Sequence, residues 1–309
     1  MKRKIIFLIC SIFLIIILCG AILFWRATKN IYHIDNSKFV TIEPNDGLFQ
    51  ISDKVEQSEI IRNMMDKSSF IFYSILTGKS RKFQPGKHYF GPDYSIANVV
   101  NGLAKTPIEE IKLTIPEGWR ATQIGEKLEE LQIAKKADFL TFAIAKEGYL
   151  FPDTYMFTKN TDPEKIVLKM ETNFSARTKE LNVNKQVLII ASLVEREAKL
   201  DEDRAGVAAV FYNRLEKNMK FEADSTIQYA LGNWEEISSK DLKINSPYNT
   251  YFNSGLPPTP ICNPGIKSIE AALNPAASDN LFFINAPGGK AYFAKTKAEH
   301  DANIKKYLK

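Results

Sequence analysis

Residues Ile5 to Trp25 form twenty-one consecutive positions without a charge, preceded by Lys2-Arg3-Lys4 and followed by Arg26. No other feature limits the fold so much. At ~1.5 Å per helical residue the run matches the ~30 Å hydrocarbon core of a bilayer. A cleaved leader carries a shorter apolar stretch, roughly 7 to 15 residues, and small residues where it is cut. This run closes on Ile22-Leu23-Phe24-Trp25, so it reads as an uncleaved anchor. Leu18 stands before Cys19 where a lipidation site wants a small residue, so Cys19 reads as membrane-embedded. Three cations and the α-amine precede the run, against Arg26 and Lys29 beyond it, which favours an inside N-terminus and a chain body outside the cytoplasm.

The anchor also explains the charge. Of 309 residues, 41 are Lys or Arg and 36 Asp or Glu, a formal net charge of +5. Without Lys2, Arg3, Lys4, Arg26 and Lys29 the remainder carries 36 of each sign. A neutral body lacks the surplus of cations that displaces counterions from phosphates, so no nucleic-acid partner is expected. A hydrophobic fraction of 45% and 25% charged residues mark a folded chain, long enough for about two domains. Cys10, Cys19 and Cys262 are the only cysteines, so the exported part has no intramolecular disulfide and no zinc spacing.

One segment echoes another at an offset of 73: Val40-Thr41-Ile42, Gln50-Ile51 and Lys54-Val55 match Leu113-Thr114-Ile115, Gln123-Ile124 and Lys127-Leu128, with a weaker continuation at Ile60 and Ile133. Each copy reads as a strand, a turn at Pro44 or Pro116, and an amphipathic helix. Lys87 to Phe90 reads as a strand and Ser95 as the N-cap of a helix over Ile96 to Leu103. Helices are expected over Phe139–Ala145, Pro163–Leu181, Lys185–Lys199 and Arg204–Lys217. The aromatic stretch Gly148 to Tyr155 reads as a boundary turn in which Asp153 satisfies backbone donors. Five prolines between Ser246 and Gly265 exclude helix and inner strand, and Tyr248, Tyr251, Phe252 and Leu256 among them favour an ordered loop. A hairpin over Leu281–Ile284 and Ala291–Ala294 and a helix over Lys297–Leu308 close the chain.

No nucleophile elbow and no phosphate-binding glycine loop is present, and His33, His88 and His300 are too scattered for a metal, so no metal and no cofactor is expected. Carboxylates are the remaining acid-base groups. Val187 to Val194 is apolar on nearly every position and is followed by Glu195-Arg196-Glu197-Ala198. Stepping ~100° per residue, the apolar direction lies about 50° from Glu197 and about 105° from Glu195. Glu197 is therefore the acid on the buried side, where desolvation raises a pKa as a general acid needs. A solvated pairing of Glu197 with Arg196, Lys199 or Arg204 is the alternative.

Read in order, Tyr149-Leu150-Phe151-Pro152-Asp153-Thr154-Tyr155, Ala191-Ser192-Leu193-Val194-Glu195-Arg196-Glu197, Val210-Phe211-Tyr212-Asn213-Arg214-Leu215, Asp224-Ser225-Thr226, Ser246-Pro247-Tyr248-Asn249-Thr250-Tyr251, Gly255-Leu256-Pro257-Pro258, Asn263-Pro264-Gly265 and Thr296 through Glu299-His300 form a series. The series resembles the motifs of the endolytic murein transglycosylases of the MltG (YceG-like) family. The resemblance implies an α+β protein: a tail (1–4), a transmembrane anchor (5–25), a linker (26–38), a LysM-like peptidoglycan-binding module (39–148) and a mainly helical catalytic domain with a short hairpin (149–309).

It further implies an enzyme that cleaves the β-1,4 bond between N-acetylmuramic acid and N-acetylglucosamine within peptidoglycan strands, leaves 1,6-anhydromuramoyl ends and limits nascent strand length. The family's catalytic Glu falls in the stretch matching Glu195 to Glu197; the burial argument selects Glu197, with Glu195 as the alternative. Asn213, Asp224, Thr226, Tyr248, Asn249, Tyr251 and His300 are candidates for substrate contacts, each with a packing or capping role as its alternative. The resemblance also implies a bacterial cytoplasmic membrane protein facing the wall, with neighbours among the peptidoglycan synthases of the division or elongation machinery. A hydrolytic muramidase and a non-enzymatic wall-binding scaffold are the rival functions.

Overall fold

The computed structural model describes residues 2–33, 38–107 and 109–308. Met1 of the expected tail and residues 34–37 of the expected linker lie outside the described residues. Two compact units are formed, residues 1–109 and residues 110–309.

In the first unit, helix α1 (Lys2–Lys29) contains the apolar run and is long and apolar enough to cross a membrane, with a mean hydropathy of 3.3. It is followed by β1 (Tyr32–His33), β2 (Lys38–Ile42), α2 (Leu48–Gln57), α3 (Met64–Leu76), β3 (Gly86–Phe90), β4 (Asp93–Tyr94) and α4 (Ile96–Leu103). Ser95 caps α4 as its sequence predicts, its hydroxyl accepting from the Asn98 N–H at 3.2 Å. β2 and β3 pair antiparallel with Val40 opposite His88, and β1 pairs with β4. Val40, Ile42, Ile51, Val55, Phe70 and Val99 form the core between sheet and helices.

The second unit begins with β5 (Glu110–Thr114), α5 (Ala121–Glu130), α6 (Lys136–Ala143) and β6 (Thr154–Thr158). β5 pairs antiparallel with β6, Leu113 opposite Tyr155. Both copies of the echo are thus strand-helix-helix-strand units, β2-α2-α3-β3 and β5-α5-α6-β6. The likeness reaches the backbone. Asn45 and Gly118 hold the same left-handed turn position, at φ 77° and 78°, and Glu59 and Gln132 both lie at φ 56° after the first helix. Gln50 and Gln123 each reach back to cap their helices, on the Gly47 and Arg120 N–H groups at 2.8 and 3.1 Å.

The boundary expected at 148–149 falls between α6 and its returning strand. Tyr155 and Phe157 alternate inward and complete the core of the second copy, so the segment read as a boundary turn runs at Thr154 and Tyr155 into β6. The division between compact units comes instead at Glu109 and Glu110.

The helical remainder comprises α7 (Pro163–Arg177), α8 (Lys185–Glu197), α9 (Arg204–Glu216), α10 (Asp224–Leu231), α11 (Ile266–Leu273), the hairpin β7 (Phe282–Asn285) and β8 (Ala291–Ala294), and α12 (Lys297–Tyr307). α8 runs through its centre with every residue from Val187 to Val194 buried, packed against α9 and α11. Gly206 lets α9 approach the hairpin; a Cβ there would lie 2.5 Å from the Phe293 ring. The proline-rich segment is ordered as expected. Ser192 on α8 accepts the Ile261 N–H at 3.0 Å, and the buried Cys262 thiol donates to the Ser192 carbonyl at 3.4 Å.

Candidate active site

Asn184 starts α8 by accepting the Val187 N–H at 2.9 Å, and the helix stops at Glu197, so its last turn delivers the acids to the edge of the core. Glu195 turns inward. Its two oxygens meet the Gly265 N–H at 3.0 Å and the Arg204 guanidinium at 3.4 Å, and only 7% of its side chain is exposed. Arg204 is itself held by Asp201 at 3.0 Å and by the Ser268 hydroxyl. Glu195 is thus a spent carboxylate that ties α8 to the start of α11.

Glu197 has different surroundings. It lines a cleft of about 640 Å³, bounded by α9, the start of α10, the hairpin and α12. Its Oε1 accepts from the Ser225 hydroxyl at 2.7 Å and more weakly from the Ser225 N–H at 3.4 Å, and it makes no ion pair among the described residues. The carboxyl is enclosed by protein atoms yet reachable from the cleft, and burial pushes its pKa above the ordinary value, with the Asp224 charge adding to the rise and Ser225 opposing it. The solvated pairing considered for Glu197 is not found.

Three of the other expected residues share this cleft. Asp224, first residue of α10, accepts the Tyr251 hydroxyl at 2.5 Å, and that contact with burial holds the Tyr251 pKa high. His300 on α12 lies against Phe282, ring centroids 5.2 Å apart, and burial, with Lys297 nearby, lowers its pKa.

The remaining four are built into the scaffold. Asn213 spends its amide on the carbonyls of Ser278 and Asn280, at 2.8 and 2.9 Å. Thr226 is fully buried and bonds Ala223 and Thr250. Asn249, also fully buried, donates to Leu242 and Ile244 and accepts the Tyr251 N–H, each at 2.9 Å. Tyr248 bonds Thr259 at 2.6 Å and packs its ring on Tyr229. Asn249 therefore acts on the cleft only by setting the backbone that carries Tyr251.

Sequence reasoning missed Ser225, Arg214 and Asn285. Arg214 is buried and donates to Leu281 at 2.6 Å and Phe221 at 2.7 Å, fixing two walls of the cleft. Asn285 donates to the Glu197 carbonyl at 2.9 Å, while its Oδ1 and His300 Nδ1 are buried polar atoms without a partner among the described residues. Such orphans are costly unless a ligand satisfies them. The motif Asp224-Ser225-Thr226 pointed to this place but not to the residue that bonds Glu197.

The sequence model of the YceG-like family matches residues 40–306. A Bacillus subtilis protein named endolytic murein transglycosylase is 32% identical over 95% of this chain and 91% of its own. A Streptococcus pneumoniae protein of the same name is 30% identical over 89% of this chain and 59% of its own length. The 2.6 Å crystal structure of a YceG-like protein from Listeria monocytogenes superposes with a TM-score of 0.56 at 34% identity, covering 86% of this chain and 98% of that one.

Proposed function

Because the chain belongs to the YceG-like family, we propose that it is a membrane-anchored endolytic lytic transglycosylase cutting the MurNAc–GlcNAc β-1,4 bond inside peptidoglycan strands. The observation that carries the reading is Glu197: a carboxyl enclosed at a cleft wall, bonded by Ser225 and paired with no cation among the described residues. Such a group stays protonated at higher pH than an exposed acid and can give its proton to a glycosidic oxygen. As the bond from C1 to that oxygen breaks, positive charge grows on the sugar ring, and the Asp224 carboxylate in the same cleft favours it. The Glu197 carboxylate then takes the proton of the muramoyl C6 hydroxyl, whose oxygen bonds to C1. The product is a 1,6-anhydro end, no water is consumed, and Glu197 returns to its starting form. Asn285 Oδ1 and His300 Nδ1 are suited to the sugar's amide and hydroxyl groups.

The strand-helix-helix-strand order of both copies supports the LysM-like reading of the region before the catalytic helices, α1 supports a single anchor, and the excess of cations before it favours a body on the wall side. Trimming nascent strands beside their synthases is the cellular role that fits an enzyme held at the membrane. The test is mass spectrometry of muropeptides released by the full chain and by Glu197→Gln. Anhydro ends from the former, with release slowed at least about 100-fold in the latter, support the proposal. Products heavier by one water would identify a muramidase, for which Asp224 and Glu222 in the same cleft are the candidate second carboxylates. Binding to peptidoglycan without release of any product would identify a scaffold.

A further inference from the structure

Over its last two turns helix α3 buries Phe70 in the core but also turns two serines inward and two large apolar side chains outward. Ser69 and Ser74 are fully buried, with their hydroxyls returned to the carbonyls of Met65 and Phe70 at 2.8 and 2.7 Å, while Ile75 and Leu76 are 59% and 58% exposed. A helix facing water puts its large apolar residues inward; small polar residues inward and large apolar ones outward is the pattern of a helix facing lipid. α3 lies along α1 in the opposite direction. Asp66 near its start meets Arg26 at 2.7 Å, the Tyr73 ring lies 5.8 Å from that of Phe24, and Phe72 packs on Gly20, where a Cβ would come within 3.2 Å. Gly20 is five residues inside Trp25, or about 7.5 Å along the helix axis. Trp25 and Arg26 are the residues that mark the outer edge of the hydrocarbon, so the end of α3 lies on its membrane side.

The turn after α3 carries Lys79, Arg81 and Lys82, and none of the three makes an ion pair among the described residues. Cations beside exposed apolar side chains match a bilayer surface, where the chains enter the acyl region and the cations meet lipid phosphates. We infer that the first unit is seated on the bilayer by the end of α3, with Phe72, Ile75 and Leu76 in the outer leaflet and Arg81 and Lys82 at its anionic headgroups. This rests on the anchor reading of α1, and the occupant is lipid because the patch continues the lipid-facing surface of that helix.

The test uses the full chain in phosphatidylcholine vesicles containing phosphatidylglycerol, with Cys10 and Cys19 replaced by Ala. The remaining native thiol, Cys262, is buried and stays unlabelled. A fluorophore is placed in turn on Leu76→Cys, on Met64→Cys at the other end of α3, about 18 Å away, and on Phe13→Cys in mid-anchor. Leu76 and Phe13 labels quenched by brominated acyl chains and insensitive to iodide, with the Met64 label reversed, support the inference. Iodide quenching at Leu76 with Phe13 still lipid-quenched overturns the seating and leaves the anchor intact. Iodide quenching at Phe13 overturns the anchor reading itself. Arg81→Glu with Lys82→Glu should reduce lipid quenching at Leu76, and omission of phosphatidylglycerol should do the same; no change in either overturns the role given to the cations.

Discussion

Glu195 and Glu197 leave the same turn of one helix and meet opposite fates, the first held between Arg204 and the Gly265 N–H, the second open to a cleft with the Ser225 hydroxyl as its hydrogen-bond donor. The difference separates charge used for architecture from charge held in reserve for chemistry.

Glu197→Gln keeps the shape of the side chain but has no proton to donate, so turnover should fall by roughly 10²- to 10⁴-fold, the usual worth of a general acid. Glu195→Gln should retain activity per folded molecule and melt earlier, because weakening its bonds to Arg204 and Gly265 costs about 1–3 kcal/mol. Muropeptide release and thermal melts on the same two preparations check both.

The pH profile of kcat/KM should have an alkaline limb set by Glu197, since the acid must be protonated to act. Ser225 stabilises the carboxylate and lowers the pKa, so Ser225→Ala should move the limb to higher pH; Asp224 raises it, so Asp224→Asn should move the limb to lower pH. Shifts in the same direction would sink the assignment of Glu197 as the titrating group.

Glu147 is 3% exposed, and burial raises its pKa from 4.5 to about 8 although it accepts from the Ala121 N–H at 3.0 Å and the Asn263 amide at 2.8 Å. The folded state holds this proton more tightly than the unfolded state does. Its stabilising contribution is therefore complete below pH 4.5 and is lost as pH rises to about 8, at up to about 1.4 kcal/mol per pH unit. Glu147→Gln should flatten the fall in melting temperature across that window while keeping both hydrogen bonds.

Asn213→Ala and Asn249→Ala each leave two half-buried carbonyls without their donor, at a cost of about 1 kcal/mol per lost hydrogen bond. Asn213→Ala should lower the melting temperature with little change in KM. Asn249→Ala should lower it and also raise KM, because Tyr251 depends on its carbonyl oxygen. Calorimetry paired with substrate titration separates the two.

Local patterns were the readable part of this chain. An uncharged run, a capping Ser95, the five prolines and the hairpin around Gly288-Gly289 declare themselves within a few residues, and the structure has each of them. The 73-residue echo announced two similar units because Ile51, Val55, Ile124 and Leu128 must face a core. What it could not announce was where each unit closes: β6 lies forty positions beyond its partner β5, and its Tyr155 and Phe157 look like any aromatic turn until they pair. The site divides in the same way. The apolar face of α8 points to Glu197 because helical spacing is a local property. The roles of Asn213, Thr226 and Asn249 depend on carbonyls that only the folded loops bring near, and Ser225 is an ordinary serine until α10 sets it against Glu197.

Asn263 ties several separate stretches with one amide. It accepts from the Gly148 and Leu150 N–H groups at 2.8 and 3.0 Å and donates to the Trp119 carbonyl at 3.0 Å and to Glu147. The entry to α5, the aromatic stretch before β6 and the proline-rich loop must open together or not at all. Hydrogen exchange at the Gly148, Leu150, Asn263 and Gly118 amides should follow one common opening free energy. Opening of these segments is thereby converted from three independent events into a single cooperative one.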